Sequence, residues 1–433
     1  MAEQPIILGI IAEFNPFHNG HLYLLEEARC KIVESAGKDP DLVIVAMSGN
    51  YVQRGEPAVF HKSVRTACAL AAGADMVVEI PTAFSTSQAQ SFAQAGIKIL
   101  TKLGANVICF GTEWNDLEGL SYVARTLAFH EDDLSGDIRS CLQEGHSFAV
   151  SRAHALTEYL SRDPSCPEGL RDRISHEISR PNNILAIEYL CAAYKADLKA
   201  PVDFLCIPRV GSDHNSVSAT AASASASALR NMMQSPDSEI RDYVPKQIYE
   251  ILKNPAGFLP IAQGSVSDFC PIFANDFSML LNQALYRTDS FNRYPEVHPE
   301  LDNRIQKNKS GFHSFDKWTQ LLTSKTFTAS RARRSLLHIL LDTPNCSALS
   351  LTYAKILGID PTKDFSSVRA ACEANHFHLL SRSGDDKCLN EQEKLLRRHD
   401  ICSEDLYRLV FFEKYHVLLK KEQEQKIILF PKS

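Results

Sequence analysis

The stretch IILGIIAEFNPFHNGH, residues 6–21, contains the features that decide the fold. Residues 6–12 form an unbroken apolar run, which is typical of a strand buried on both faces of a parallel sheet. Residues 20–35 follow with a helical pattern of apolar positions. The motif between them therefore lies at the carboxyl end of a first strand, where open parallel sheets bind their ligands.

The same pattern of buried strands and helices continues along the chain. Further strands are predicted at 41–48, 75–80, 105–111 and 202–209, with helices at 61–73 and 86–104. Residues 117–200 are mostly helical and lie between the fourth and fifth strands, as an insertion. The first half is therefore predicted to be α/β, a Rossmann-like parallel sheet domain with a helical insertion.

The character of the sequence changes after residues 234–239. Helices are predicted at 240–253, 267–287, 298–308, 314–323, 330–341, 349–357, 365–373 and 403–420, with a loop or short helix at 380–400 and no strand pairs. We therefore predict two domains, residues 1–235 and an α-helical C-terminal domain of residues 236–433.

Composition excludes several classes of protein. No apolar run of the 433 residues reaches the roughly 20 that a membrane span needs. The N-terminus lacks the features of a secretory signal, so we expect a cytoplasmic protein. The 12 cysteines include no C-x-x-C pair, which favours free thiols over disulfides or zinc. A net charge of −6 argues against broad non-specific nucleic-acid binding but leaves room for a local basic patch.

The motif at residues 14–21 has the groups that a polyphosphate needs. The helix N-terminus offers free N–H groups, and Gly20 allows the backbone to approach a ligand closely. His18 and His21 share one face of the first turn and can donate hydrogen bonds to a phosphorus centre that develops charge. A zinc site is the weaker reading, because no third ligand is near, and we predict no metal-ligand set in the chain.

The motif HNGH resembles the HIGH signature of the nucleotidyltransferase and class I aminoacyl-tRNA synthetase superfamily. Those enzymes promote attack on the α-phosphate of ATP and release pyrophosphate. Their second signature, S-S-T-x-I-R, resembles SASALR at residues 225–230, directly after the fifth strand. The resemblance implies that Ser225 and Ser227 offer hydroxyl groups and that Arg230 offers a cation for phosphate.

Longer motifs narrow the resemblance to one family. Residues 12–25, 45–70, 109–113, 179–190, 301–305, 324–341 and 353–358 together look like bacterial tRNA(Met) cytidine acetate ligase. Such an enzyme would use ATP, with Mg²⁺, and acetate to make acetyl-adenylate. It would then acetylate N4 of the wobble cytidine of elongator methionine tRNA. No protein partner is implied.

The resemblance also implies site residues. The catalytic residues would be His18, His21, Ser227 and Arg230. ATP would be bound by Ile11, Glu13, Asn15, Pro16, Phe17, His18, Gly20, His21, Gly111, Asn182, Asn183 and Arg209, with Asn183 slightly preferred over Asn182. The base for acyl transfer is not evident, and Asp213 and His214 are the candidates. Domain 1–235 would then be the nucleotidyltransferase-like, ATP-binding catalytic domain.

Basic residues indicate where RNA would bind. Lys325, Arg331, Arg333 and Arg334 cluster beside FTAS in the second domain, and Arg54 lies in the loop after the second strand. Such side chains can grip a phosphate backbone, so we predict that they bind tRNA. Lys62 and Arg65, one helical turn apart, fit either a solvated helix face or a phosphate contact.

Two other functions stay open at this point. One is a nucleotidyltransferase or carboxylate ligase that acts on a small molecule in cofactor biosynthesis. The other is a non-catalytic RNA-binding module that kept a nucleotide pocket. The size and basic clusters of the second half argue against the small-molecule enzyme, and His18, Gly20, His21 and Arg230 argue against the binding module.

Overall fold

The computed structural model describes residues 4–146, 148–167, 169–196, 198, 200–209, 224–235, 239–347 and 351–431. Its strands are β1 (Ile7–Ala12), β2 (Leu42–Ser48), β3 (Tyr51–Val52), β4 (Glu56–Pro57), β5 (Met76–Ile80), β6 (Val107–Thr112), β7 (Asp203–Pro208), β8 (Ile261–Gln263), β9 (Tyr353–Ile359), β10 (His378–Leu380), β11 (Leu418–Leu419) and β12 (Ile428–Leu429).

The helices of the first half surround the sheet and form the insertion. They are α1 (Asn19–Ala36), α2 (Lys62–Ala71), α3 (Thr82–Ser85), α4 (Ala89–Lys102), α5 (Leu117–Phe129), α6 (Glu131–Gln143), α7 (Phe148–Arg162), α8 (Leu170–Glu177), α9 (Pro181–Lys195) and α10 (Ala226–Met232). Those of the second half are α11 (Lys246–Lys253), α12 (Ser278–Arg287), α13 (Pro299–Asn308), α14 (Phe315–Leu322), α15 (Ala329–Leu341), α16 (Ser366–Asn375) and α17 (Glu391–Tyr415).

The main sheet has the strand order β10-β9-β5-β2-β1-β6-β7, and β12 pairs with β9. The five strands from the first half are parallel, with Ile7 opposite Leu42 and Leu8 opposite Val107. All five predicted strands are therefore confirmed, and so is the α/β class with its helical insertion. The carboxyl ends of β1, β6 and β7 meet at one edge, where the site lies.

The prediction of a second half without strand pairs was wrong. Residues 353–359, predicted as part of a helix, form β9, which runs antiparallel to β5 with Met76 opposite Ile359. The strand is short and apolar, so its sequence period cannot separate strand from helix, and pairing with the open edge of β5 decides it. The predicted loop at 380–400 was also wrong, since α17 begins at Glu391.

Apolar layers cover both faces of the sheet. On one face, α1 and α2 pack with the helices of the second half in a core that includes Phe17, Trp318 and Phe411. On the other face, α4, α5 and α9 pack with residues such as Tyr353 and Leu396. All twelve cysteines are free thiols, as predicted. No helix in the described ranges is long and apolar enough to cross a membrane.

Buried charges join the two halves of the chain. The ammonium group of Lys62 lies 2.8 Å from Glu79, 3.4 Å from Glu404 and 2.9 Å from Glu422. Burial would lower the pKa of Lys62, and these carboxylates outweigh burial and raise it well above its ordinary value. Lys62 is therefore neither solvated nor free for phosphate, as the sequence had suggested. Arg65 is also buried and donates to the carbonyls of Glu13, Ser48, Gly49 and Phe60.

Candidate active site

His18 and His21 form a reciprocal cap at the start of α1. His18 is the N-cap residue, and its Nδ1 accepts a hydrogen bond from Gly20 N at 3.1 Å. Nδ1 of His21 accepts from His18 N at 3.2 Å. The two rings stack with their centroids 3.7 Å apart. The predicted shared face is confirmed, and both rings are fixed by the backbone they cap.

This cap sets the protonation of the two imidazoles. Burial, and then the charge of Arg209, lower the pKa of His18 to about 4. Burial lowers the pKa of His21 well below its usual value, with smaller contributions from His18 and Arg209. Both rings are thus neutral near pH 7. Because each Nδ1 accepts a hydrogen bond, the proton of each ring lies on Nε2, which is left as a donor.

The segment before the cap is held by its neighbours along the sheet edge. Asn15 Oδ1 accepts from Val59 N at 2.7 Å, and Glu13 Oε1 accepts from Gln53 N at 2.7 Å. Burial raises the pKa of Glu13. Asn15 Nδ2 is buried and has no hydrogen-bond partner among the described residues. A buried donor of this kind is a position where a ligand can supply the missing acceptor.

The apolar residues of the motif support the cap rather than line an open site. Phe17 and Pro16 are buried, and the Phe17 ring lies 5.4 Å from the His21 ring. The Ile11 side chain packs toward Gly96 of α4, where an added Cβ would lie 2.6 Å from it. A Cβ on Gly20 would lie 3.0 Å from Cε1 of His18, so glycine here leaves room for that ring.

The second signature lies beside the first. Ser225 caps α10 by accepting from Ala228 N at 3.2 Å. Arg230 donates to the carbonyl of Asn15 at 2.8 Å and to Ser227 Oγ at 3.1 Å. Arg54 also donates to Ser227 Oγ, at 3.1 Å. The predicted catalytic residues His18, His21, Ser227 and Arg230 are therefore brought together across the carboxyl end of β1.

Glu56 is a member of this group that the sequence analysis missed. It lies in the β3–β4 hairpin, 2.9 Å from Arg230 and 3.0 Å from Arg333 of α15. The hairpin rests directly on α15, since a Cβ on Gly55 would lie 2.4 Å from Arg334 N. Glu56 thus connects the second signature to the basic helix of the second half.

A third side of the site comes from β6, α9 and β7. Arg209 donates to Asn182 Oδ1 at 3.3 Å, and an added Cβ on Gly111 would lie 3.6 Å from Arg209 Cγ. Asn182 also donates to Glu113. Burial lowers the pKa of Arg209, an effect that the charge of Glu113 opposes. This arrangement puts a partly buried cation beside the two histidines.

The two asparagines at the start of α9 have different surroundings. Asn183 is fully buried; its Oδ1 accepts from the backbone N–H groups of Glu113 and Trp114 at 3.0 and 3.1 Å. Its Nδ2 donates to the carbonyl of Glu177 at 2.9 Å. Asn183 therefore fixes the turn after β6, whereas Asn182 contacts Arg209 at the site. This geometry favours Asn182, not Asn183, as the ligand-facing residue.

The residues predicted to bind tRNA occupy unequal positions. Arg54 and Lys325 are exposed, and Arg331 lies over the ring of Phe327 at 4.8 Å. Arg333 is paired with Glu56 and with Asp316, and Arg334 is paired with Glu296 at 2.7 and 2.8 Å. Asp213 and His214 lie outside the described residues.

Comparisons with known proteins agree with this geometry. The model of the family described as HIGH Nucleotidyl Transferase matches residues 6–423. The chain is 35% identical over 358 residues to tRNA(Met) cytidine acetate ligase of Caldicellulosiruptor saccharolyticus, covering 81% of this chain and 82% of the relative. It is 30% identical over 430 residues to the enzyme of that name from Alkaliphilus metalliredigens, covering 96% and 97% of the two chains.

Solved structures agree over the full length. Thermotoga maritima TmcAL bound with alpha-thio ATP superimposes with a TM-score of 0.78 at 28% identity, covering 98% of this chain and 97% of that one. The apo form of the same protein gives a TM-score of 0.81 at 27% identity, covering 99% and 100%. The chain therefore belongs to the HIGH nucleotidyl transferase family and, within it, to the tRNA(Met) cytidine acetate ligases.

Proposed function

We propose that this protein activates acetate with ATP as acetyl-adenylate and transfers the acetyl group to N4 of the wobble cytidine of elongator tRNA(Met). The observation that carries the proposal is the stacked pair of neutral histidines, His18 and His21, beside Arg230 at the carboxyl end of β1. The enzymatic activity agrees with the names of its relatives.

In the first step an acetate oxygen attacks the α-phosphorus of ATP, and the bond to the bridging oxygen of pyrophosphate breaks. Negative charge grows on the phosphate oxygens. The Nε2–H groups of His18 and His21 and the backbone N–H groups at the start of α1 supply donors that are already oriented. Neutral donors suit this task because they bind developing charge without needing a counter-ion of their own. Arg230 and Arg209 supply positive charge on either side.

In the second step the exocyclic amine of cytidine attacks the acyl carbon, and AMP leaves. The base has to be unstacked to reach the adenylate, which the single-stranded anticodon loop allows. The same side chains that bound ATP hold AMP as the leaving group. Positioning of the two reactants, rather than a protein nucleophile, then supplies most of the rate.

We propose that ATP enters as its magnesium complex. In the described part of the chain, no group of three or more His, Cys, Asp or Glu side chains is arranged to hold a metal ion. Glu56 is paired with arginines, and Glu113 is bonded to Asn182. The phosphate oxygens and water would therefore be the main ligands of Mg²⁺, as is usual for this ion.

We also propose that tRNA crosses the surface that joins the β3–β4 hairpin to α15. Arg54 and Lys325 are exposed there, and Arg331 keeps part of its guanidinium at the surface. Arg333 and Arg334 use donors on Glu56, Asp316 and Glu296, so their main effect would be to hold the hairpin and the helix together. Phosphate contacts of this kind position an RNA without reading its sequence.

The test is acetate-dependent exchange of pyrophosphate into ATP, with and without methionine tRNA, followed by mass analysis of the tRNA nucleosides. We expect exchange and N4-acetylcytidine with the wild type, and a loss of about 100-fold or more in exchange for His21→Ala. His130→Ala, which changes an exposed histidine on the insertion, is the matched control. ATP binding without exchange under either condition would contradict a ligase and favour a binding module.

A further inference from the structure

A cavity of about 330 Å³ lies in the second half of the chain, away from the residues described above. It is bounded by the C-terminal end of α15, the middle of α17 and the segment that contains Tyr294. Leu341 and Leu395 give it apolar walls. Its volume is at the lower end of the range of small-molecule sites, which suits one nucleoside-sized group.

Two buried polar side chains of the cavity lack partners. Neither ring nitrogen of His399, nor the hydroxyl of Thr343, has a hydrogen-bond partner within the described residues. His399 is 6% exposed and Thr343 is 3% exposed. Leaving such atoms unpaired costs free energy, so they are features that a ligand would satisfy.

The state of these groups limits the chemistry of the ligand. Burial, together with the nearby charge of His338, lowers the pKa of His399 to about 4, although Asp342 and the Leu341 carbonyl oppose the shift. A neutral imidazole offers one donor and one acceptor, and so does a hydroxyl group. A carboxylate would meet no cation at this depth, and a purely apolar ligand would leave both residues unpaired. A flat heterocycle with donors and acceptors on its edge fits both.

The walls and rim add two further matches. Tyr294 presents an aromatic ring, fixed by the bond from its hydroxyl to Asp342 at 2.9 Å. Arg398 is exposed at the rim, where a phosphate attached to the heterocycle would lie. Along α15, Leu341 is ten residues from Arg331, about 15 Å. One RNA could therefore reach both the basic surface and the cavity.

We propose that this cavity binds a single unstacked nucleobase, with His399 and Thr343 on its edge, Tyr294 against its face and Arg398 near its phosphate. In its RNA form the inference rests on the proposed function, and the base comes from the tRNA outside the acetylated position. A free nucleotide would present the same groups. Extruded bases in RNA are commonly held in this way, by stacking and edge hydrogen bonds.

The test uses the full chain and the double variant Thr343→Val/His399→Phe, which keeps shape and removes the polar atoms. We expect a melting temperature equal to or above the wild type, because unpartnered polar atoms leave the interior. With alpha-thio ATP filling the catalytic site, the Kd for methionine tRNA should rise about tenfold. AMP, CMP, GMP and UMP are titrated in the same buffer to detect the free-nucleotide source. Thr157→Val is the control for the substitution.

Each outcome decides the matter. A weaker tRNA complex supports an RNA base; an unchanged tRNA complex with loss of binding of one free nucleotide supports a nucleotide site instead. If neither changes, the cavity binds no base and the proposal is overturned. Arg398→Gln, with Arg369→Gln as an exposed control, repeats the test at the rim if the double variant does not fold. Pyrophosphate exchange by the wild type, measured in parallel, separates a failure of this proposal from a failure of the proposed function.

Discussion

Arg230 and Glu56 form an ion pair, with 2.9 Å between Nη2 and Oε1. The other oxygen of Glu56 lies 3.0 Å from Arg333 on α15. One carboxylate therefore neutralises an arginine of the candidate catalytic group and one of the basic helix. Binding of phosphate by either arginine competes with the same partner.

Replacement of Glu56 by glutamine should reduce kcat for pyrophosphate exchange more than it changes KM for ATP. The two arginines keep their charge but lose the group that orients them, and transition-state contacts depend most on orientation. We expect a fall in kcat of about tenfold, measured by steady-state exchange. Asp316→Asn removes a partner of Arg333 only and should leave exchange near the wild-type rate. Equal effects of both variants would contradict a role for Glu56 at the site.

His18→Asn separates the two functions of His18. Asparagine is a good N-cap residue, so helix α1 should keep its cap and the melting temperature should stay within a few degrees. The Nε2–H donor is lost, and we expect kcat for exchange to fall about 100-fold. His18→Ala should lose the same activity and about 1 kcal/mol of stability in addition, measured by denaturant unfolding. Retained activity in His18→Asn would mean that the ring is only a cap.

The acidic limb of the pH profile should lie unusually low. The unfolded chain protonates His18 near pH 6.5, whereas in the folded protein its pKa is about 4, chiefly because the ring is buried. Stability from this group is therefore full above pH 6.5 and is lost as pH falls toward 4. We expect kcat/KM for ATP at saturating Mg²⁺ to show no inflection near pH 6.5 and to fall below about pH 5. A midpoint near 6.5 would contradict the neutral, buried pair.

Lys62→Met should be strongly destabilising at neutral pH. Three buried carboxylates would lose their shared cation, which costs about 3–5 kcal/mol. In the wild type Lys62 and His61 outweigh the effect of burial and hold the pKa of Glu404 at about 2, so its contribution is present above its ordinary pKa and lost only in strong acid. In the variant these carboxylates protonate more easily. The gap in melting temperature between the two proteins should therefore narrow from pH 8 to pH 5.

Gly55→Ala should destabilise the protein more than Gly37→Ala. Both glycines have positive φ, +80° and +72°, so alanine brings a similar backbone strain at each. At Gly37 no atom lies within 4 Å of the added Cβ, whereas at Gly55 the Arg334 backbone lies 2.4 Å away. We expect about 1 kcal/mol for Gly37→Ala and at least twice that for Gly55→Ala in denaturant unfolding. Equal losses would mean that the hairpin is not held against α15.

Local sequence was enough to predict the first strand, the capped helix and the second signature. Each is specified by neighbouring residues: an apolar run, two histidines three apart, and a serine that caps α10. One available signal was overlooked, because Asn390 and Glu393 form the capping box that starts α17.

The remaining errors concern contacts between distant segments. Glu56 meets Arg333 across 277 positions, and Lys62 meets Glu422 from the far end of the chain. Strand β9 is specified by the free edge of β5 rather than by its own period. A single sequence gives no sign of such pairings. The domain boundary at 235/236 and the individual ATP and tRNA contacts stay predictions.

The pairing of β9 with β5 also bears on how the chain is made. During synthesis, β5 leaves the ribosome almost 280 residues before its partner, and until then its backbone N–H and C=O groups stand unpaired at the edge of a sheet. A nascent chain that stops near residue 235 would display that edge to its neighbours. We expect fragment 1–235 to self-associate when expressed alone and to become monodisperse only when residues 236–433 are supplied with it, as light scattering would show. In such a chain, the last segments to emerge protect the first ones from each other.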